Sequence, residues 1–255
     1  MNQSVIKALN LLNLFNEDNV ELTLKEIADR AGLPKPTAYR LLSALESMNY
    51  VYKIKDREHD SRYRLGLKLL ELGQLVSDQL EVRKIAYPYM ENLSKEINEA
   101  VHLVVVNHHE ATYIEKVESN KAIRLYTRIG KNSPLYIGSG PKLLLAYLPE
   151  ARRDEIIELG VQNQALDRRT FSEELSRIHA EGYSYSVGEQ DENTTGISYP
   201  IYDYRNIVIA ALTVSGLSTY FEGDNLCTIK TKTKEMAEAI SQKLGFRGFV
   251  QGRID

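Results

Sequence analysis

The sequence of 255 residues contains one cysteine, Cys227, and no tryptophan. A single cysteine cannot close a disulfide within its own chain, which excludes the small disulfide-stapled domains and favours a reducing compartment. No apolar run approaches the roughly 18 residues of a membrane-spanning helix, and Met1–Ser4 lacks the charged and then apolar order of a secretion signal. We therefore expect a cytoplasmic protein that does not associate with a membrane.

Signature motifs of common hydrolases and metalloenzymes are also missing. The sequence has no G-x-S-x-G turn and no H-E-x-x-H pair, and the adjacent His108 and His109 have no third ligand at a useful spacing. We expect no catalytic residue, no metal site and no cofactor. With 43% hydrophobic and 26% charged residues, the composition is that of an ordinary globular protein, long enough for one or two domains.

Charge is distributed unevenly along the chain, although the total is only −3. Residues 1–29 carry two lysines and five carboxylates, a net of −3, whereas residues 30–66 carry eight basic and four acidic side chains, a net of +4. A basic segment favours contact with phosphates in a salt-dependent manner. The excess is modest, so we expect weak DNA binding by one copy and stronger binding by a dimer on two half-sites.

The segment Thr23–Leu45 has the features of a helix-turn-helix. Thr23 and Glu26 form a T-x-x-E capping box, in which each side chain satisfies a free amide at the helix start. Gly32 occupies the position where a left-handed residue commonly ends a helix. Two short helices joined in this way can place one helix in a DNA groove. The first helix is expected to bury a stripe at helical spacing, Leu24, Ile27, Ala28 and Ala31.

The second helix of this motif is predicted to present a basic and polar face. Pro34 and Pro36 suit its first turn, where no backbone donor is needed. Arginine can pair with guanine, and hydroxyl groups can bond to bases or phosphates. A solvated face in another small helical bundle is the alternative. The expected buried stripe is Ala38, Leu41, Leu42 and Leu45. The expected DNA-contacting residues are Lys35, Pro36, Thr37, Tyr39, Arg40 and Ser43, with Thr23 at the start of the preceding helix.

The flanking segments predict a winged form of the motif. Val5–Phe15 has the apolar spacing of a helix that closes a small core. Residues 50–54 and 62–65 have the pattern of two strands, and the polar segment 55–61 between them is long enough for a wing loop. A plain surface hairpin is the alternative. Three arginines of the wing are expected to reach phosphates: Arg57, Arg62 and Arg64.

Residues 67–80 carry leucines at helical spacing over a surface wider than one neighbouring element needs. We expect a linker helix that also packs against a second subunit, with burial inside its own chain as the alternative. The predicted organisation is a winged helix-turn-helix over residues 1–66, a linker helix over 67–81 and a second domain over 82–250.

The second domain has a mixed pattern that predicts an antiparallel sheet flanked by helices, and hence an α+β fold. Helices are expected over residues 85–97, 142–148, 150–159, 172–180 and 225–244. Strands are expected over residues 101–106, 111–117, 122–129, 182–187, 197–202 and 207–214, with a hairpin turn at 107–110.

Several blocks of the sequence match one known family in their order. They include SVIKALNLLNLF, LTLKEIADRAGLPKPTAYRLLSALE, YRLGLKLLELG, VRKIAYPYMENLSKEINEAVHLVVV, IRLYTRIGKNSPLY, PKLLLAYLP, EGYSYSVGE and ISYPIYDYRNIVIAALTVSG. Over nearly its full length the chain resembles the IclR family of transcription regulators. The resemblance implies a winged helix-turn-helix, a linker helix and a GAF-like effector-binding domain. It also implies homodimers, or dimers of dimers, on palindromic or repeated double-stranded operator DNA.

Members of that family bind a small organic effector, often a carboxylate, in the C-terminal domain. From the residues alone, the turn 138–141 leads into a helix whose free amides favour an anion. Thr213 and Ser215 are two positions apart on a predicted strand, so their side chains share one face of it. The chain has Pro141 where the family commonly has glycine, and some members have aspartate and cysteine at the positions of Ser186 and Gly196. The resemblance maps the effector site onto Ser139, Gly140, Ser186, Gly196, Thr213 and Ser215.

The function expected from these features is sequence-specific DNA binding that a small effector modulates. Effector binding would favour one arrangement of the C-terminal domains and so change the distance or angle between two recognition helices. Couplings of this kind typically amount to ~1–3 kcal/mol. Two alternatives remain at this point, an enzyme with a DNA-binding tether and an architectural DNA-binding protein without a ligand.

Overall fold

The computed structural model describes residues 2–16, 18–54, 61–79, 81–122, 127–163 and 166–248. Backbone packing divides the chain into two units, Met1–Gln79 and Leu80–Asp255. The first unit is mainly helical with a small sheet, and the second combines a six-stranded antiparallel sheet with helices. The predicted α+β class is confirmed. Across the described ranges, no helix is both long and apolar enough to cross a membrane.

The first unit packs helices against a three-stranded antiparallel sheet. Its helices are α1 (Gln3–Leu12), α2 (Leu24–Arg30), α3 (Lys35–Ser47) and α4 (Leu67–Gln79). Its strands are β1 (Leu22–Thr23), β2 (Val51–Ile54) and β3 (Arg62–Leu65), in the order β1-β3-β2. Leu11, Ile27, Leu42 and Tyr63 are buried at the centre of its core. The predicted helix-turn-helix and its wing strands are confirmed, while residues 55–60 of the expected wing loop lie outside the described residues.

Local sequence sets the turn between α2 and α3. The amide of Glu26 donates to Thr23 Oγ1, and the amide of Thr23 donates to Glu26 Oε2 at 2.8 Å, which completes the predicted capping box. Gly32 ends α2 with a φ of +61°, a left-handed conformation that glycine adopts without steric cost. The amide of Leu33 then donates to the Ala28 carbonyl at 2.9 Å, as in a Schellman ending. Helix α3 buries the four residues that its spacing predicted: Ala38, Leu41, Leu42 and Leu45.

The second unit is built on one antiparallel sheet in the order β6-β5-β4-β9-β8-β7. The strands are β4 (Ala100–Asn107), β5 (Glu110–Val117), β6 (Asn132–Pro134), β7 (Ser184–Val187), β8 (Thr194–Tyr202) and β9 (Val208–Leu217). The helices are α5 (Glu81–Ile97), α6 (Ser139–Ala146), α7 (Glu150–Gln162), α8 (Arg168–Glu181) and α9 (Gly223–Lys243).

Each face of this sheet has its own apolar core. Val101 and Leu103 of β4 belong to the core shared with α5 and α9, whereas Val104 belongs to the core shared with α6, α7 and α8. A bulge in the β4–β5 pairing sets Leu103 opposite Glu115 and Val104 opposite Tyr113, so β5 has one extra residue there. The bulge allows Tyr113 and Glu115, although two apart, to serve opposite faces of the sheet.

The strand expected over residues 122–129 differs from the structure, and several other elements, among them α5, α6, α8 and β8, begin three or four residues earlier than predicted. Of the strand expected over residues 122–129, residues 123–126 lie outside the described residues, and the others form bends, turns and irregular chain. The left-handed Gly130, with a φ of +84°, turns the chain first, so the edge strand β6 starts only at Asn132. Helix α6 begins at Ser139, three residues earlier than the predicted start at 142, because Pro141 fits within its first turn.

Candidate DNA-binding surface and effector pocket

The outer face of α3 carries the six residues that the sequence predicted for it. Lys35, Pro36, Tyr39 and Arg40 are exposed, and Thr37 and Ser43 are half-buried. Lys53 of β2 brings a further cation to this face, with its Nζ 5.9 Å from the centre of the Tyr39 ring. The face therefore combines three cations with hydroxyl groups, a set that can contact both phosphates and base edges.

The other predicted DNA-contacting residues occupy different settings. In the capping box, Thr23 Oγ1 donates to Glu26 Oε2 at 2.8 Å. The hydrogen bond from the Thr23 amide, followed by this hydroxyl contact, holds the pKa of Glu26 below its ordinary value. Arg62 Nη1 lies 3.7 Å from Glu21 Oε2, and Arg64 pairs with the same carboxylate. Both arginines thus pair with the residue that precedes β1, at the base of the wing. Arg57 lies outside the described residues.

In the second unit, five of the six predicted effector residues line one polar cavity. It is enclosed by the start of α6, by strands β4, β8 and β9, and by the segment that follows β7. The two residues that are two apart on β9, Thr213 and Ser215, both contribute to it, as expected for one face of a strand. The five lining residues are Ser139, Ser186, Gly196, Thr213 and Ser215.

A chain of hydroxyl groups joins three elements beside this cavity. Ser198 Oγ donates to Ser139 Oγ at 2.9 Å and lies 2.8 Å from Thr213 Oγ1. Ser198 is fully buried on β8, and sequence reasoning did not identify it. The hydroxyl chain connects the first residue of α6 to β8 and β9, so it fixes where the helix begins relative to the sheet.

Two glycines allow α6 to approach the strands this closely. A Cβ atom on Gly140 would lie 2.7 Å from Thr213 Oγ1, and a Cβ atom on Gly196 would lie 2.5 Å from Ser139 Oγ. Gly140 therefore packs behind the hydroxyl chain, beside the cavity-lining residues. The side chains that some family members carry at the position of Gly196 would have to displace Ser139 in this chain.

His102 of β4 is a buried member of the cavity that sequence reasoning treated as a core or edge residue. Its Nε2 lies 2.9 Å from Ser215 Oγ, and its Nδ1 has no hydrogen-bond partner among the described residues. Burial lowers the pKa of His102 to about 4, so the ring is neutral at physiological pH. A single polar residue within the aliphatic run of β4 was the sequence signal for this position.

The segment after β7 closes the cavity from outside. Gln190 Nε2 donates to the Tyr113 hydroxyl at 2.9 Å and to Ser133 Oγ at 3.2 Å. Burial raises the pKa of Tyr113, so it remains a neutral phenol. No local sequence pattern predicts these contacts, because they join residues that are far apart in the sequence.

A buried cation lies beside the start of α6. Lys142 is 2% exposed, and its Nζ lies 2.5 Å from Glu174 Oε1 of α8 and 2.5 Å from Glu189 Oε1. Glu189 Oε2 also accepts a hydrogen bond from the Gly138 amide at 2.8 Å. Within the described part of the chain, no group of three potential metal ligands occurs.

Two family models of known proteins match successive parts of this chain. Residues 4–54 match the IclR helix-turn-helix domain, and residues 74–242 match the bacterial transcriptional regulator IclR C-terminal domain. The HTH-type transcriptional regulator KipR of Bacillus subtilis is 37% identical, with 96% of this chain and 98% of the relative aligned. XynR of Escherichia coli, an HTH-type transcriptional regulator, is 30% identical over the same shares of the two chains.

Solved structures share the same architecture. The IclR protein of Thermotoga maritima superposes with a TM-score of 0.74 at 28% identity, covering 95% of this chain and 99% of that one. An IclR homolog from Microbacterium hydrocarbonoxydans, complexed with 4-hydroxybenzoate, gives a TM-score of 0.79 at 25% identity, with the same coverage.

Proposed function

Because this chain belongs to the IclR family of transcriptional regulators, we propose that α3 reads operator DNA and that the polar cavity binds the effector. Regulators of this family combine a helix-turn-helix DNA-binding domain with a C-terminal ligand-binding domain. In the proposal the DNA-binding domain spans residues 1–66, the linker helix 67–81 and the effector domain 82–250. The chain binds its effector without converting it, in keeping with relatives named as regulators.

The outer face of α3 is the observation that carries the DNA-binding proposal. The apolar residues on the opposite face of α3 are buried in the core, whereas Lys35, Tyr39 and Arg40 are exposed. Arg40 is assigned to a base edge because a guanidinium can form two parallel hydrogen bonds with guanine. Contacts with bases or phosphates are proposed for Lys35, Pro36, Thr37, Tyr39 and Ser43, and contacts with the DNA backbone for Thr23, Arg57 and Arg62.

The effector proposal rests on the clustering of small polar groups at the start of α6. A helix N-terminus presents free amides that favour an anion, and the hydroxyls of Ser139, Thr213 and Ser215 lie around it. The Microbacterium homolog with 4-hydroxybenzoate supports a small organic carboxylate. We assign the effector to this cavity, with Ser186, Gly140 and Gly196 shaping its walls.

A homodimer, alone or paired with a second dimer, completes the proposal. Helix α4 leaves Leu67, Leu70 and Leu75 exposed within its own unit, at 80%, 70% and 54% of their full surface. Apolar residues at this density favour an interface with a second copy. Two copies place two recognition helices on two half-sites, about one helical turn of DNA apart.

Replacement of Arg40 by alanine tests the DNA-binding proposal. We expect specific affinity for the protein's own upstream region to fall by about 1–3 kcal/mol, because a bidentate base contact is lost. Fluorescence anisotropy with a labelled duplex at fixed salt measures the change. Arg169→Ala is the matched control, since it removes the same charge from an exposed site on α8. Equal affinities of the two variants would remove Arg40 from the base-reading set.

A further inference from the structure

The segment Gly188–Asn193 lies over the polar cavity, and it begins and ends with a residue in the left-handed conformation. Gly188 has a φ of +67° and Asn193 a φ of +60°, and all six residues of the segment are exposed. Three of them, Glu189, Gln190 and Asp191, nevertheless line the cavity with their side chains. Side chains of the segment bond to the start of α6 and to β5, through Glu189 and Gln190. Backbone groups bond at its two ends, where the Gly188 amide donates to the Thr194 carbonyl and the Asn193 carbonyl accepts from the Ser218 amide.

Glu189 places a carboxylate at the start of α6. Its Oε2 accepts from the Gly138 amide at 2.8 Å, and its Oε1 lies 2.5 Å from the buried Lys142 Nζ. A helix N-terminus with a neighbouring cation is a position that favours an anion. In this structure that anion is supplied by the chain itself.

The space left beneath the segment is too small for an organic molecule. The cavity measures about 30 Å³, room for one or two waters, whereas pockets for organic ligands are on the order of 300 Å³ or more. Its inner wall still carries an unused polar atom, because His102 is 2% exposed and its Nδ1 has no partner among the described residues. The site thus has an unsatisfied polar atom, His102 Nδ1, in its wall, and the Glu189 side chain lies where the ligand would bind.

We propose that Glu189 is a tethered competitor of the effector, and that an effector carboxylate displaces it from the Gly138 amide and Lys142. The exchange of one carboxylate for another preserves the local charge, with Glu174 still balancing Lys142. An anion added while Glu189 stays in place would instead meet two carboxylates around one ammonium group. Displacement also releases Gln190 from Tyr113 and Ser133, which opens the volume that the effector needs.

This inference rests on the proposed effector function, and it adds the internal group that the effector carboxylate replaces. Because a competing internal contact lowers the apparent affinity by the fraction of time the site is free, removal of Glu189 must tighten carboxylate binding. A neutral ligand would gain nothing from the charge exchange.

Isothermal titration calorimetry of the full chain without DNA tests the exchange. Acetate, 4-hydroxybenzoate and the neutral 4-hydroxybenzamide are titrated at constant ionic strength into wild type, Glu189→Ala and Glu174→Ala. Glu174→Ala is the matched control, because Glu174 also lies 2.5 Å from Lys142 Nζ but forms no hydrogen bond with the Gly138 amide. We expect Glu189→Ala to bind both carboxylates at least about tenfold more tightly than wild type, with no gain for Glu174→Ala and none for the amide.

Any of three results would overturn the proposal. The first is that neither wild type nor Glu189→Ala binds a carboxylate, and the second is that the two proteins bind carboxylates with equal affinity. The third result is an equal gain in carboxylate affinity in Glu189→Ala and Glu174→Ala. If Glu189→Ala fails to fold, hydrogen exchange on wild type replaces it. Saturating 4-hydroxybenzoate should then speed exchange of the amides of residues 188–193 at least tenfold, and unchanged exchange would contradict the displacement. Because no DNA is present, failure of operator recognition by α3 leaves these outcomes unaffected.

Discussion

Ser139, Ser198 and Thr213 form a buried hydroxyl chain whose middle member bonds to both neighbours. Buried hydroxyls without partners are costly, so the chain fixes the rotamers of all three side chains. A ligand oxygen that enters beside Thr213 and Ser215 therefore meets donors and acceptors already held in place. This preorganisation is the residue-scale reason for assigning the effector to the cavity.

Replacing Thr213 by valine and Ser215 by alanine should shift the response of operator binding to a small carboxylate effector toward higher ligand concentrations, while DNA affinity remains. Each lost hydrogen bond weakens the ligand complex by about 1 kcal/mol, or roughly fivefold. Electrophoretic mobility shifts over a range of ligand concentrations measure the response. Ser176→Ala on the exposed face of α8 is the control. A double variant that responds as wild type does would move the effector out of this cavity.

Sequence reasoning found residues whose role follows from a local pattern and missed those brought in by tertiary contacts. Thr213 and Ser215 share a strand face by simple alternation, and the structure places both in the cavity. Ser198 and Glu189 act through partners about 15 and 50 positions away, at Thr213 and Gly138. No spacing rule reaches across such distances, so only the folded chain reveals them.

At the scale of single elements, α2 and α3 were predicted most closely because their ends are encoded locally. The capping box at Thr23 and the left-handed Gly32 fix both ends of α2 within a few residues. The edge strand β6 was missed, since its pairing with β5 depends on a turn at Gly130 and not on its own three residues. Helix boundaries set by caps are thus readable from sequence, whereas edge pairing is not.

The capping box at Thr23 should contribute measurably to the stability of α2. Thr23→Ala should lower the free energy of unfolding by about 1 kcal/mol, because the Glu26 amide loses its acceptor. Thermal and urea denaturation of wild type, Thr23→Ala and Thr23→Ser measure the loss. Serine keeps a hydroxyl acceptor and should retain most of the stability. If serine and alanine destabilise equally, the cap hydrogen bond does not stabilise α2.

The same cap predicts a pH dependence. The pKa of Glu26 is lowered in the folded protein, first by its bond to the Thr23 amide. A carboxyl with a lowered folded pKa stabilises the protein above its unfolded pKa, and that contribution is lost as pH falls through the folded value. The stability difference between wild type and Glu26→Gln should therefore shrink in acid. A difference that stays constant from pH 7 to pH 3 would contradict this role.

For the whole molecule, the proposed homodimer would bring two copies of a weakly basic domain to the DNA. The chain as a whole carries a charge of −3, so electrostatic attraction alone does not supply strong binding. In the proposal, specificity comes from two α3 helices held at a spacing that matches the operator. The exposed leucines of α4 are the proposed means of holding them.

Charge introduced on α4 should separate the copies. Leu67→Glu with Leu70→Glu places carboxylates on the exposed apolar face, and we expect sedimentation equilibrium to show a shift toward monomer. Affinity for a two-half-site operator should fall with it, whereas binding to a single half-site should stay the same. Leu159→Glu, at an exposed leucine of α7 in the other unit, is the control. An unchanged mass would place the subunit interface elsewhere.

Sequence-specific DNA binding is tested by competition between the protein's own upstream DNA and a scrambled duplex of equal length and composition. With the full chain at physiological salt, we expect a preference of about a thousandfold or more for its own sequence. Addition of the effector should change that preference while leaving affinity for the scrambled duplex constant. Equal binding to both duplexes, with and without small carboxylates, would contradict the account.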